Sequence, residues 1–132
     1  MRDFPHTRER RVLRINARYE AFLAAGFPLA DYPGETLQCR NELDRTNWLA
    51  LKDICDEALV AELGDELIPA PGIRCTSNEF IRPTYAATWA MMRDLRAWVL
   101  AAQANWWRLK DEARTVATPQ ALEALDLEAG WP

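Results

Sequence analysis

Residues 83–116 read PTYAATWAMMRDLRAWVLAAQANWWRLKDEARTV, and the architecture turns on this stretch. Pro83 disfavours helix before it, Thr84 offers a side-chain oxygen to the first free backbone amides, and neither proline nor glycine interrupts residues 85–116. The spacing predicts one helix to about Val116, on the order of 48 Å long at 1.5 Å per residue. Written as heptads, one seam position holds Tyr85, Met92, Val99, Trp106 and Ala113, and the other holds Thr88, Leu95, Ala102, Leu109 and Val116. Nearly every seam position is apolar. Trp89, Met91, Trp98, Leu100 and Trp107 lie outside it, so apolar material sits on more than one face, and shorter neighbours are expected to cover only part of the rod.

The flanking segments supply those neighbours. Upstream, the breakers Pro69-Ala70-Pro71-Gly72 precede Ile73–Thr76 and Glu79–Arg82, two alternating runs around Ser77-Asn78 that read as a β-hairpin. A lone hairpin is marginal in water, so the strand candidate Thr36–Cys39 is expected to join it as a third antiparallel strand. Between them, Trp48, Leu49, Leu51, Ile54, Cys55 and Leu59 keep a helical period, capped by Asn41 or Asp44 and stopped at Gly64. At the N-terminus, Val12, Ile15, Tyr19 and Phe22 recur at steps of three and four opposite a basic face. They predict an amphipathic helix over about 7–25, capped by Thr7 and closed by Gly26. Downstream, Thr118-Pro119 starts a short closing helix that Gly130 is expected to end near Ala129.

The predicted fold class is α+β: an N-terminal helix, a small three-stranded antiparallel sheet, a second helix, one long C-terminal helix and a short closing helix. With 132 residues, 49% hydrophobic and 27% charged, the whole of 1–132 is expected to form one domain. Sixteen basic against twenty acidic residues leave a net charge of −4, a balance that opposes diffuse binding to phosphate backbones, and nucleic acid is not an expected partner. Apolar runs are short and broken by charge, so no membrane span is expected.

Chemistry-bearing residues are scarce. One histidine, His6, and one serine, Ser77, are too few for a nucleophile, a base and an orienting group, so no catalytic residues are assigned and the chain is expected not to be an enzyme. Cys39, Cys55 and Cys75 lie far apart with no CxxC pair, and read as reduced core thiols, not zinc ligands. The acids of the second helix, among them Asp53, Asp56 and Glu57, lack the alternating loop ligands of a calcium site and read as a solvated face. No metal or cofactor is expected.

Six tryptophans are the outstanding feature, four of them on the long helix. Trp89, Trp98, Trp106 and Trp107 cannot all face one way at 100° per residue, and large aromatics anchor interfaces as well as cores. An indole turned away from the core would meet a second polypeptide.

Three pieces of the chain resemble a domain family of undetermined function common in tailed phages and prophages, where it is associated with tail-fibre and tail-fibre-assembly proteins. They are Glu35-Thr36-Leu37-Gln38-Cys39 entering Arg40-Asn41-Glu42-Leu43; the hairpin Ile73–Arg82 with Asn78 at its tip, leading through Pro83-Thr84 into the long helix; and Thr118, Leu122, Ala124, Asp126, Gly130, Trp131 and Pro132 at the end. The likeness covers about 35–132, with the arginine-rich first helix similar to the usual lead-in. It implies a role in the virion tail or its assembly, in a protein made in the host cytoplasm, and brings no catalytic residues.

On this reading the protein is a tail-fibre or tail-tip component acting through protein contacts, with an assembly chaperone as the alternative. Trp98, Trp106 and Trp107 would supply apolar interface area, while Arg8, Arg11, Arg14 and Arg18 steer an acidic partner. Partners would be other tail proteins or fibre subunits. The chain is also expected to self-associate, the seam at Met92, Val99 and Trp106 suiting a parallel oligomer.

Overall fold

The computed structural model describes residues 4–132. In chain order the elements are α1 (Phe4–Ala24), β1 (Phe27–Pro28), β2 (Thr36–Leu37), α2 (Glu42–Val60), β3 (Ile73–Arg74), β4 (Phe80–Ile81), α3 (Tyr85–Thr115) and α4 (Pro119–Ala124). The fold is α+β, with four helices and two small two-stranded antiparallel sheets among the described residues. Two compact units result, one from the segment up to Phe22 together with Val99–Pro132, the other from Leu23–Trp98.

In the Leu23–Trp98 unit the predicted three-stranded sheet is replaced by two separate pairs. β1 pairs with β2, Phe27 opposite Leu37 and Pro28 opposite Thr36, while β3 pairs with β4, Ile73 opposite Ile81. β1 lies outside the strands expected from the sequence; its pair with β2 is only two residues long, with Pro28 at its end, and Phe27 is buried there. The carbonyl of Thr36 that a third strand would have used is taken by the hairpin loop instead. Thr76 donates to it from its backbone N–H at 2.9 Å and its hydroxyl at 3.1 Å.

α2 starts where Asn41 Oδ1 accepts from the Asp44 N–H at 2.9 Å, the capping interaction that fills one of the helix's free donors. Its buried stripe is narrower than the sequence suggested. Cys55 and Ala58 are buried, but Leu49 and Ile54 are 50% and 52% exposed, because each lies about 100° around the helix from the inward residues Trp48 and Cys55. Trp48 Nε1 donates to the Gln38 carbonyl at 2.7 Å, tying the start of α2 to the end of β2.

The other unit has its core where Ile15 of α1, Leu109 and Ala113 of α3 and Leu122 of α4 meet, all fully buried. α1 begins at Phe4, so Thr7 lies inside it and does not cap it. α4 starts as the sequence indicates, with Thr118 Oγ1 accepting from Ala121 N–H at 3.1 Å and Pro119 in its first turn. It ends at Ala124, five residues short of the expected Ala129, and gives way to turns. α3 matches its predicted span within a residue.

Candidate protein-binding surface

Asp126 to Pro132 is short and irregular, yet it is well anchored. Asp126 Oδ1 accepts the Glu128 N–H at 2.9 Å, and Trp131 Nε1 donates to the Leu127 carbonyl at 2.9 Å, so the segment folds back on itself. Asn105 then holds it to α3, its amide donating to the Ala129 carbonyl at 3.1 Å while its Oδ1 accepts from Arg108 at 2.8 Å and 3.1 Å. Asn105 is only 6% exposed. A buried amide is tolerated here because its donor and acceptor are both used. Trp131 lies against Phe22 and Tyr19, ring centroids 5.3 Å and 6.3 Å away.

Three of the four arginines expected to steer a partner make contacts inside the chain. Arg8 donates to the carbonyls of Ala113, Arg114 and Val116 at the end of α3, where backbone acceptors lack helical partners and the helix dipole is negative. Its guanidinium also lies over the Phe4 ring at 4.0 Å. Arg11 donates to the Leu125 carbonyl at 2.6 Å. Arg18 pairs with Glu128 at 2.7 Å and lies over Trp131 at 5.5 Å. Arg14 is exposed and forms no hydrogen bond or ion pair with another described residue.

The apolar candidates divide in the same way. Met92 is buried and Val99 is half-buried. Trp106 stacks on Tyr19 at 4.5 Å with the rings nearly parallel, and its Nε1 donates to Asn16 Oδ1 at 2.8 Å. Lys110 Nζ sits 3.7 Å from its centroid. Trp98 packs edge-on against Phe27 at 5.5 Å. The Met92, Val99 and Trp106 seam is thus largely occupied within the chain, and a parallel oligomer built on it would have to displace those contacts. Trp107 is different. It is 51% exposed, and Leu100, seven residues earlier on the same face, is 53% exposed, with the exposed Ala104 between them.

Sequence reasoning did not single out Asn105, whose polarity at a helix position beside two tryptophans was the available signal. It also missed the outward apolar residues of α2, where Leu43 and Val60 join Leu49 and Ile54 on the surface.

Elsewhere on α3, Trp89 Nε1 donates to Asp56 Oδ1, and Lys52 bonds the other oxygen of that carboxylate at 3.2 Å. These two donors, the indole first, hold the Asp56 carboxyl below the usual carboxylate range. A carboxyl whose pKa is lower folded than unfolded adds stability above its ordinary pKa and loses it as pH falls through the folded value. Asp56→Asn is therefore expected to be destabilised relative to the parent at neutral pH, and the gap to narrow as acidification protonates the folded Asp56 carboxyl. Urea unfolding of both proteins at neutral pH and along a descending acid series measures this.

The three cysteines are free and buried. Burial pushes the thiols of Cys39 and Cys75 up to about 11, away from the thiolate form that nucleophilic chemistry requires. Among the described residues, no three His, Cys, Asp or Glu side chains gather in a way that would hold a metal ion. No helix among them is long and apolar enough to cross a membrane.

No curated protein and no solved structure shows significant similarity to the chain. A family model does match, over residues 6–129, so the match takes in α1 as well as the 35–129 stretch and stops just before Gly130-Trp131-Pro132. Spanning nearly the whole sequence, it shows that the chain belongs to the family described as a domain of unknown function, DUF4376.

Proposed function

We propose that this protein is a non-enzymatic, tail-associated structural component of a bacteriophage or prophage, made in the host cytoplasm and acting through protein contacts in the virion tail. The phage assignment rests on the sequence likeness of the Glu35–Leu43, Ile73–Thr84 and Thr118–Pro132 segments. The contact mechanism rests on one observation: Leu100 and Trp107 stand about half exposed on α3 while Trp106 is stacked and hydrogen-bonded. A large indole that leaves water at an interface is the commonest kind of binding hot spot.

A second copy of the chain is the occupant this face fits best. Leu100 and Trp107 are placed symmetrically about a point between Gln103 and Ala104, and so are Arg96 and Asp111. Two α3 helices crossing antiparallel about a twofold axis would set Leu100 on the partner's Trp107 and Arg96 opposite the partner's Asp111. Arg96 and Asp111 are exposed, and neither forms an ion pair with another described residue. Ala104 near the axis lets the backbones approach closely. This arrangement replaces the parallel seam as the proposed mode of self-association, and tail-fibre or tail-tip proteins are the proposed further partners.

Quantitative mass spectrometry of purified particles tests the tail assignment. Stoichiometric abundance of the chain in mature virions is the expected result. Its presence in infected cells but absence from particles would overturn the structural role in favour of an assembly chaperone.

A further inference from the structure

In the unit that holds α1 and α4, Thr7, Arg10, Arg11 and Arg14 line a cleft of about 170 Å³ together with Glu123 of α4. Three guanidinium groups within five residues of one helix repel one another, and a chain with a net charge of −4 has no general excess of base to explain them. Their local use differs. Arg11 is fixed by its bond to the Leu125 carbonyl, but its Nε is buried with no hydrogen-bond partner. Arg10 and Arg14, one turn apart, are exposed and form no ion pair or hydrogen bond with another described residue. The cleft therefore presents one preorganised guanidinium and two exposed ones with no ion pair or hydrogen bond to another described residue.

We infer that this cleft binds a phosphoryl dianion. Guanidinium forks match the oxygen spacing of phosphate and carboxylate alike, so charge decides between them. Three arginines facing one carboxylate leave about two positive charges, which a phosphate monoester carrying about −1.5 to −2 at neutral pH neutralises and a single carboxylate does not. Binding would screen the arginines from one another and draw Arg10 and Arg14 out of water toward the anion. The Glu123 carboxylate in the same lining repels the anion, setting the affinity below what the arginines alone would give.

The test uses the full chain in isothermal titrations at constant ionic strength, with inorganic phosphate, O-phosphoserine and acetate as probes. Both phosphoryl probes are expected to bind and acetate is not. Tighter binding of phosphoserine points to a phosphoryl group carried by another molecule, and tighter binding of inorganic phosphate to the free ion; either supports the site. The double substitution Arg10→Ala with Arg14→Ala is expected to weaken binding by about tenfold or more. Because neither side chain forms an ion pair or hydrogen bond with another described residue, the circular-dichroism melting midpoint without phosphate should stay close to the parent's. Glu123→Gln is expected to tighten binding a few-fold, a change that a merely structural Glu123 would not produce. No heat with either phosphoryl probe, or equal affinity in the parent and the double variant, would overturn the proposal. Trp107→Glu should leave phosphate binding unchanged, so this site and the α3 contact can fail separately.

Discussion

Truncating Leu109 to alanine is expected to lower the unfolding free energy by about 2–5 kcal/mol, the range for removing a large aliphatic side chain from a close-packed core. Leu109 is fully buried among Ile15, Ala113 and Leu122, with Val12, Trp106, Val116 and Leu125 around them. Two kinds of loss combine: the apolar surface that leaves water on folding shrinks, and the surrounding side chains face a void they can fill only in part. Collapse is restricted here because each wall belongs to a different helix, and Arg8 and Arg11 pin the ends of α3 and α4 to α1. Urea unfolding followed by far-ultraviolet circular dichroism gives the difference. A loss under about 1 kcal/mol would mean that the site is more plastic than its packing indicates.

The second large effect is expected at the base of the β3–β4 hairpin. Gly72 has φ +93°, and a Cβ added there would lie 2.1 Å from the Ile81 carbonyl oxygen, a backbone atom paired into the hairpin. Gly72→Ala thus meets two obstacles, a left-handed conformation that costs an L-residue about 1–2 kcal/mol and a backbone collision that no rotamer change relieves. The expected loss is on the order of 3 kcal/mol or more, with hydrogen-exchange protection at Ile73 and Ile81 falling before that in α3. Gly34, also at positive φ but with nothing near its added Cβ, is the control: Gly34→Ala should bear the conformational part alone. Equal losses at the two positions would remove the collision from the explanation.

The range of the forces involved decides how much of the fold was legible in the sequence. Local signals carried well. The span of α3, the Asn41 and Thr118 caps, the Ile73–Ile81 hairpin and the burial of the three cysteines come from period, capping chemistry and side-chain polarity. Partner choice between distant segments did not. Nothing local to Thr36 says that its carbonyl will be met by Thr76 and that its strand will pair with Phe27-Pro28, since both alternatives satisfy the same backbone groups. The arginines of α1 show the same limit. Arg8, Arg11, Arg14 and Arg18 look alike on a helical wheel, and only the tertiary positions of the α3 and α4 ends separate three that hold carbonyls or Glu128 from one that faces water. The adjacent tryptophans were the hardest to tell apart: Trp106 found Tyr19 and Asn16, and Trp107 did not.

Light scattering on the purified chain, parent beside Trp107→Glu, tests most directly whether the outer face of α3 meets a second copy. The expected result is a particle of twice the 15.1 kDa chain mass for the parent, and one of 15.1 kDa with unchanged helix content for the variant. A parent that stays at 15.1 kDa at the highest soluble concentration, or a variant that assembles as the parent does, would contradict it.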